Sequence, residues 1–557
     1  MAVRRRTAHQ GLTRTVGDAA SPGDTGDAAR AIRVVDYLRL SRPARQDLAA
    51  TDREEVAVTV QATSAPIQID TCDVCIVGAG IAGLNALFAA SRYLSRDQKV
   101  ILIDRRARVG GMWNDTYSYV RLHQPHPMFT AGNIKWTLGR EPSYLATKDE
   151  VLGHFQHCLH EIKKRVTVDE RYGWDLQSEV ETGGNVRITC RTPDGGQRVI
   201  EANRLIKAYG IRVMPNDPLE LSSARVHSVS PDYCDVRSGP MRDSDAPVWL
   251  IGGGKTAMDT AHTLITAYPG REVNLVAGSG TFFASREKFF PVGARRWWGS
   301  TLLSSMAIDM CREFDGTNEN ELADWFRTRY GTWLTPRTGN FLLGVLSETE
   351  NKAIAAGLND VIMDHLDDVV DRDGSTEAVF RSGATKTIRE GSWIVNCTGY
   401  LTKGDHPYEP YVSAGGSVLS IQPRSATMHL TSYMGYFLTH AMFLDKLAEL
   451  PLYEVDMQDL WDKHKSVLPY TLFALAQYNL GLMADAMPAK VFGECGLDYD
   501  RWYPWPRRTA GVVRFMRVHG REREHLRRSL DTVRDRFAVR CGPLSSGEAT
   551  TSAAAAG

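Results

Sequence analysis

The chain has 557 residues, against roughly 100–200 per domain, so two or three domains around a sizeable buried core are expected. Lys plus Arg (66) equals Asp plus Glu (66) and the mean hydropathy is -0.29, which leaves no basic surplus for a nucleic-acid backbone and no acidic surplus for disorder. No apolar run approaches the ~18 residues of a membrane span, and the 9 cysteines at irregular spacing fit ordinary thiols, so a cytoplasmic location is expected.

Residues 1–30 are rich in Ala, Gly, Thr, Asp and Arg and lack both large apolar side chains and the apolar stretch of a secretory signal. Too little surface is available there to offset the entropy of ordering, so a disordered start is expected within an N-terminal extension, 1–69.

The first organised segment, Cys72 to Trp113, reads strand, glycine-rich turn, helix, strand. Val74 to Val77 is a continuously apolar strand, Gly78, Gly80 and Gly83 spell G-x-G-x-x-G, Leu84 to Tyr93 suits a helix packed on a sheet, and Val100 to Asp104 returns as a strand. In such a turn the first glycine bends the chain, the second lets a pyrophosphate approach the N–H groups of a helix start, and the third lets helix and strand pack closely. Asp104 follows Gly78 by 26 residues, where a carboxylate can accept hydrogen bonds from a ribose diol. Cys72 and Cys75 form C-x-x-C, but three residues along a strand is roughly 10 Å with side chains on opposite faces, too far for a disulfide.

His154, His157, Cys158 and His160 share an expected helix, at spacings that put some of them on one face. No fourth ligand is evident, so packed or solvated histidines are expected there, and no metal.

The layout of the first segment returns at Ala246 to Gly280. Val248 to Ile251 is the strand, Gly252-Gly253-Gly254-Lys255-Thr256-Ala257 the turn, and Val273 to Val276 the returning strand; the first glycines of the two turns lie 174 residues apart, about one domain. The same count of 26 from Gly252 reaches Gly278, beside Ser279, and no acid stands there. A carboxylate would repel a 2′-phosphate, so its absence favours NADPH over NADH. Arg286 and Lys288 are the nearest cations, with a solvated charged patch as the other reading.

From Phe282 to Leu303, with Trp325 and Trp333 beyond, aromatic residues mix with arginines, which reads equally as a substrate mouth or as cover for a sheet. Pro451 to Arg540 is expected to be mainly helical, and Gly542 to Gly557 is a low-complexity tail.

Around the two glycine-rich turns stand Gly110-Gly111-Met112-Trp113, Tyr119 to Pro127 (YVRLHQPHP), Tyr144 to Glu150 (YLATKDE) and Ile394 to Tyr400 (IVNCTGY). As a set, over about residues 70–445, these resemble the flavin-containing and Baeyer–Villiger monooxygenases, the FAD/NADPH-dependent class B flavoprotein monooxygenases. The resemblance implies that Gly78, Gly80, Gly83, Asp104, Arg105, Gly111 and Trp113 bind FAD. It likewise implies that Gly252, Gly254, Lys255, Thr256, Ala257, Ser279 and Arg286 bind NADPH, with Thr398 and Gly399 at the return from the NADPH domain.

It further implies the chemistry: NADPH reduces the flavin, O2 adds at its C4a carbon, and the hydroperoxide oxygenates nitrogen, sulfur or an activated carbon of a small organic molecule. Relatives hold this intermediate with an asparagine near the flavin edge, and by counting Gln124 stands at its place; the other reading is a loop residue satisfying backbone groups. The chain departs from the family where Leu221, Ser223 and His227 replace most of F-x-G-x-x-x-H, with Tyr233 late, which departs from the carbonyl-inserting subclass. Lys255-Thr256 also stands for the usual Asn-Ser, and Tyr209 for a threonine.

The expected fold class is α/β, with two Rossmann-like dinucleotide-binding domains, the NADPH domain inserted into the FAD domain, and a mainly helical C-terminal region. The corresponding ranges are 70–215 with 393–450 for FAD, 216–392 for NADPH, 451–540 for the helical region and 541–557 for the tail. Two other functions stay open. One is a flavin-dependent NADPH disulfide or quinone reductase, which wants a dithiol beside the flavin or a second acceptor, and the other a non-catalytic dinucleotide-binding protein. The expected partners are a small substrate and O2, with no nucleic acid and no transmembrane segment; the sequence does not express an oligomeric state.

Overall fold

Apolar runs, Val74 to Val77 and Val100 to Ile103, lie within Ile69–Val77 (β1) and Lys99–Asp104 (β2), which pair in parallel and are joined by the helix Ile81–Ala90 (α1). Such strands are buried on both faces, which is why they read as continuous apolar runs. The computed structural model describes residues 69–211, 216–399 and 406–544, all within one unit spanning 65–557.

Thr147 starts the helix Lys148–Lys163 (α2) with a capping box closed by Glu150. Thr167–Tyr172 (β3), Asp175–Thr182 (β4), Asn185–Arg191 (β5) and Gln197–Lys207 (β6) complete a sheet of order β3-β2-β1-β6-β5-β4, to which Val418–Ser420 adds by pairing with β6. Between these strands in sequence, His227–Val229 (β7), Val248–Ile251 (β8), the helix Lys255–Ala267 (α3) and Val273–Val276 (β9) build a second parallel sheet. Its order is Asp360–Ile362, β9, β8, Trp393–Asn396, β7. The fold is therefore α/β with one dinucleotide-type unit inserted in another.

Several boundaries differ from the sequence reading. β1 begins at Ile69, five residues before the apolar run, because it pairs with β6 along its length from Ile69↔Val199 onward, and this ladder carries the polar Asp70, Thr71 and Asp73. α1 starts at Ile81 and ends at Ala90, not Leu84 to Tyr93, since the helix begins directly on the glycine turn. Trp393–Asn396, expected to open the return to the first unit, pairs instead with β8 and β7 in the second sheet. Cys541–Pro543, expected as tail, pairs with Tyr453–Val455. The expected N-terminal extension up to residue 68 and the tail from 545 lie outside the described residues.

Cys72 and Cys75 are free, buried thiols in one apolar cluster, and burial raises both, Cys72 to about 12. His154 is a packed histidine: its ring stacks on Trp136 at 3.8 Å and its Nε2 lies 2.8 Å from Thr130 Oγ1. The C-terminal part is helical, with Leu468–Ala486 and Trp505–Phe537 packed on Leu303–Glu313 of the inserted segment. Among the described residues no helix is long and apolar enough to cross a membrane.

Candidate functional site

A cavity of about 560 Å³ opens at the carboxyl ends of β1 and β2, where open α/β sheets bind ligands. At this end its wall is the first glycine turn with Asp104, Arg105, Gly111 and Trp113. The three glycines of the turn do different things. A Cβ on Gly83 would lie 1.7 Å from the Gly78 carbonyl oxygen, so helix and turn pack without room for a side chain. Gly80 is the N-cap of α1 without a side-chain cap, which leaves N–H groups of the first turn open to an anion. It also faces Gly111, whose φ is +53° and whose added Cβ would stand 2.7 Å from the Gly80 Cα; the Gly110 N–H donates to the Ala79 carbonyl at 2.9 Å. The Gly110-Gly111 pair, at the start of the 3-10 turn Gly111–Asn114, thus packs over the glycine turn.

Asp104 is buried, and its two oxygens accept from the Ala79 N–H at 2.7 Å and the Arg106 N–H at 2.8 Å. A carboxylate has about four acceptor sites, so capacity remains for a ribose diol. Arg105 is exposed at the rim with no hydrogen bond or ion pair to a described residue. Trp174 and Tyr209 extend the wall, and Tyr209 stacks on His406 at 4.2 Å.

Val120 to Gln124 forms a facing wall. It is pinned through the Leu122 N–H to the Ala146 carbonyl at 2.9 Å and through Arg286 Nε to the His123 carbonyl at 2.9 Å. Burial, with Lys255 nearby, holds the His123 imidazole down to about 3, so the ring is neutral. The Gln124 side chain lines the cavity and makes no hydrogen bond to a described residue.

The same cavity includes an aromatic chamber walled by Phe289, Phe326 and Phe341 from the inserted segment and by His429, Phe473 and Tyr499 from the C-terminal part. In the aromatic stretch after Phe282, Phe282 packs in the core against Phe341 at 4.7 Å, while Phe289 and Phe290 line the cavity.

The second turn lies outside this cavity. Gly254 caps α3 without a side-chain cap, and a Cβ there would meet nothing within 4 Å, so the helix start is open. Thr256 and Ala257 are buried behind it. Ser279 Oγ accepts from Asn340 at 2.7 Å, and the exposed Thr398 and Gly399 stand beside Gly252, not at the cavity. Lys255 pairs with Asp259, which also accepts from Tyr117 Oη at 2.9 Å, and Arg286 pairs with Glu350 at 3.1 Å and donates to the His123 carbonyl.

The sequence reading missed Arg337. Gly339 N–H donates to the Ser279 carbonyl at 2.9 Å, and Arg337 reaches the Met363 carbonyl at 3.0 Å, which brings this exposed guanidinium to the end of β9. No count from Gly252 finds it, because a loop 58 residues after Ser279 delivers it.

Residues 72–289, the segment that carries both glycine turns, match the family described as pyridine nucleotide-disulphide oxidoreductase. Uncharacterized proteins of Mycobacterium tuberculosis and Mycobacterium bovis are 27% identical over 217 residues, 36% of this chain; the match spans only 37% of those relatives' length. Among solved structures, a cyclohexanone monooxygenase has a TM-score of 0.46 at 12% identity, covering 75% of this chain and 98% of that one. A flavin-containing monooxygenase from Stenotrophomonas maltophilia has 0.41 at 16%, covering 68% and 99%, and a bacillithiol disulfide reductase from Staphylococcus aureus has 0.41 at 13%, with the same coverage.

Proposed function

We propose that the protein is an FAD-dependent monooxygenase that uses NADPH and O2 to oxygenate nitrogen, sulfur or an activated carbon of a small organic molecule. The observation that carries this reading is the cavity wall: one space takes in the Gly80 and Asp104 cradle, Gln124 and an apolar chamber, and none of the 9 cysteines lines it. A disulfide reductase needs a dithiol within reach of its cofactor, and that requirement is unmet here.

The residues present fit both cofactors. Open helix starts at Gly80 and Gly254 suit two pyrophosphates, Asp104 suits a ribose diol, and Arg337 is the cation placed for a 2′-phosphate. When bound, FAD and NADPH supply hydride transfer and activation of O2. The chain supplies the rest. Gln124 offers an unengaged amide N–H to oxygen at the cavity wall, and the chamber's phenyl rings keep water away from the reacting centre.

Purified yellow protein tests the reading by aerobic NADPH consumption. Oxygen uptake that rises with an added sulfide or amine supports it. Turnover only with a disulfide or quinone acceptor moves the protein to the reductases, and colourless inert protein to the non-catalytic binders.

A further inference from the structure

The aromatic chamber is chemically uniform. Cavity residues drawn from 284–345 and from 429–499 include no Asp, Glu, Lys or Arg; the charged cavity residues are Asp104, Arg105, Arg106, Arg121 and Asp175, nearer the glycine turn or, for Arg121, turned outward to the Leu145 carbonyl at 3.2 Å. A bound charge in the chamber would lose its hydration with no partner in return.

Four polar side chains interrupt the apolar wall, His429, Thr431, Ser432 and Tyr499, and two of them, His429 and Tyr499, carry rings without a hydrogen bond to any described residue. His429 stands immediately before the helix Thr431–Phe443, its ring 4.6 Å from Tyr433 and stacked toward Phe473 at 6.0 Å. Neither ring nitrogen is bonded to a described residue, and Nδ1 is fully buried without a partner. Burial alone holds this imidazole down to about 4, so at neutral pH it presents one N–H donor and one lone pair. The Tyr499 hydroxyl also lines the chamber without a hydrogen bond to a described residue, and burial pushes it up to about 12. A buried polar atom left without a partner costs free energy, which a ligand heteroatom can return.

We propose that the chamber binds an uncharged, largely aromatic or aliphatic molecule with one hydrogen-bonding heteroatom, which His429 orients. The inference rests on the monooxygenase reading for what then happens to that molecule, and its test does not. A carboxylate or ammonium substrate such as a free amino acid finds no counter-ion here and is excluded.

Indole, indole-3-carboxylate and tryptamine share a bicyclic ring and differ in charge. Titrated calorimetrically into the flavin-loaded protein without NADPH, indole is expected to bind one site per chain at least ten times more tightly than either charged analogue. His429→Ala should weaken indole about 2- to 10-fold, the worth of one net hydrogen bond, at unchanged flavin content. His429→Gln, which restores a donor and an acceptor, should recover most of it. Should the alanine variant fail to fold, Tyr499→Phe, which keeps the ring, is expected to weaken indole through the loss of the hydroxyl. Equal or tighter binding of the carboxylate or the amine overturns the proposal, as does indole binding untouched in both variants. Colourless protein that still prefers indole would sink the flavin reading alone, and yellow protein that prefers the charged analogues this inference alone.

Discussion

Gly80 and Gly111 touch backbone to backbone: a methyl on Gly111 would lie 2.7 Å from the Gly80 Cα, and one on Gly80 would lie 3.2 Å from the Gly111 Cα. Two motifs 31 residues apart are therefore one structural feature, the floor and the flap of the first anion site. Gly111→Ala meets both this contact and a φ of +53°, a strain of about 1–2 kcal/mol for an L-residue. It should shed flavin with little change in secondary structure, and Gly80→Ala should do the same more mildly. The ratio of absorbance at the flavin band to protein content reads this; a fully yellow Gly111→Ala protein contradicts the cradle.

Gln124 should govern coupling rather than reduction. Loss of one hydrogen bond to a partly charged group costs about 1.5–3 kcal/mol, or roughly 10- to 100-fold. Gln124→Ala should accept hydride from NADPH at a near-parent rate while releasing more hydrogen peroxide and less oxygenated product per NADPH. If reduction collapsed with the coupling ratio unchanged, Gln124 would belong to the NADPH site or to the scaffold.

NADPH preference should depend on Arg337. Arg337→Ala should raise KM for NADPH about 10- to 100-fold, the worth of a hydrogen bond to a charged group, and leave KM for NADH near the parent value. Equal losses with both nucleotides would assign Arg337 to loop structure. Gly278 is a poor place for the converse experiment, since its φ is +61° and a Cβ there would stand 3.1 Å from His365 Nε2.

Glu454 should make stability fall with rising pH. It is buried, and burial raises its carboxyl to about 7 despite hydrogen bonds from Tyr408 and the Tyr411 N–H. With the folded value above the unfolded one, the neutral form's contribution is full below about 4.5 and is lost as pH rises through about 7. Relative to Glu454→Gln, the parent should lose about 3 kcal/mol over that span, at ~1.36 kcal/mol per pH unit. Thermal midpoints from pH 5 to 8 check it, and parallel profiles for both proteins would show that Glu454 does not titrate in this window.

How much of this was legible follows from distance along the chain. The strands Val248–Ile251 and Val273–Val276, both glycine turns and the insertion of one unit in another were readable, because each is set by local apolar runs and by backbone room within a few residues. Resemblance put Gln124 near the flavin edge, and the residue lines the cavity. The pairing of Arg286 with Glu350, 64 residues on, was not readable from its chain position. Arg337, the Tyr209 and His406 stack, and the chamber of Phe289, His429 and Tyr499 were illegible, because each joins residues far apart in the chain: Arg337 meets Met363 within the inserted segment, Tyr209 meets His406 across it, and the chamber forms where inserted helices pack on C-terminal ones.

The most direct test of the account is isotopic. Flavin-loaded protein with NADPH under 18O2 is offered thioanisole and N,N-dimethylaniline, two uncharged aromatic molecules with an oxidisable heteroatom, and the products are weighed by mass spectrometry. The account predicts methyl phenyl sulfoxide or the amine oxide carrying one 18O atom, with NADPH consumed in step with product. Yellow protein that oxidises NADPH only when given a disulfide or quinone, with no 18O in any organic product, would contradict it.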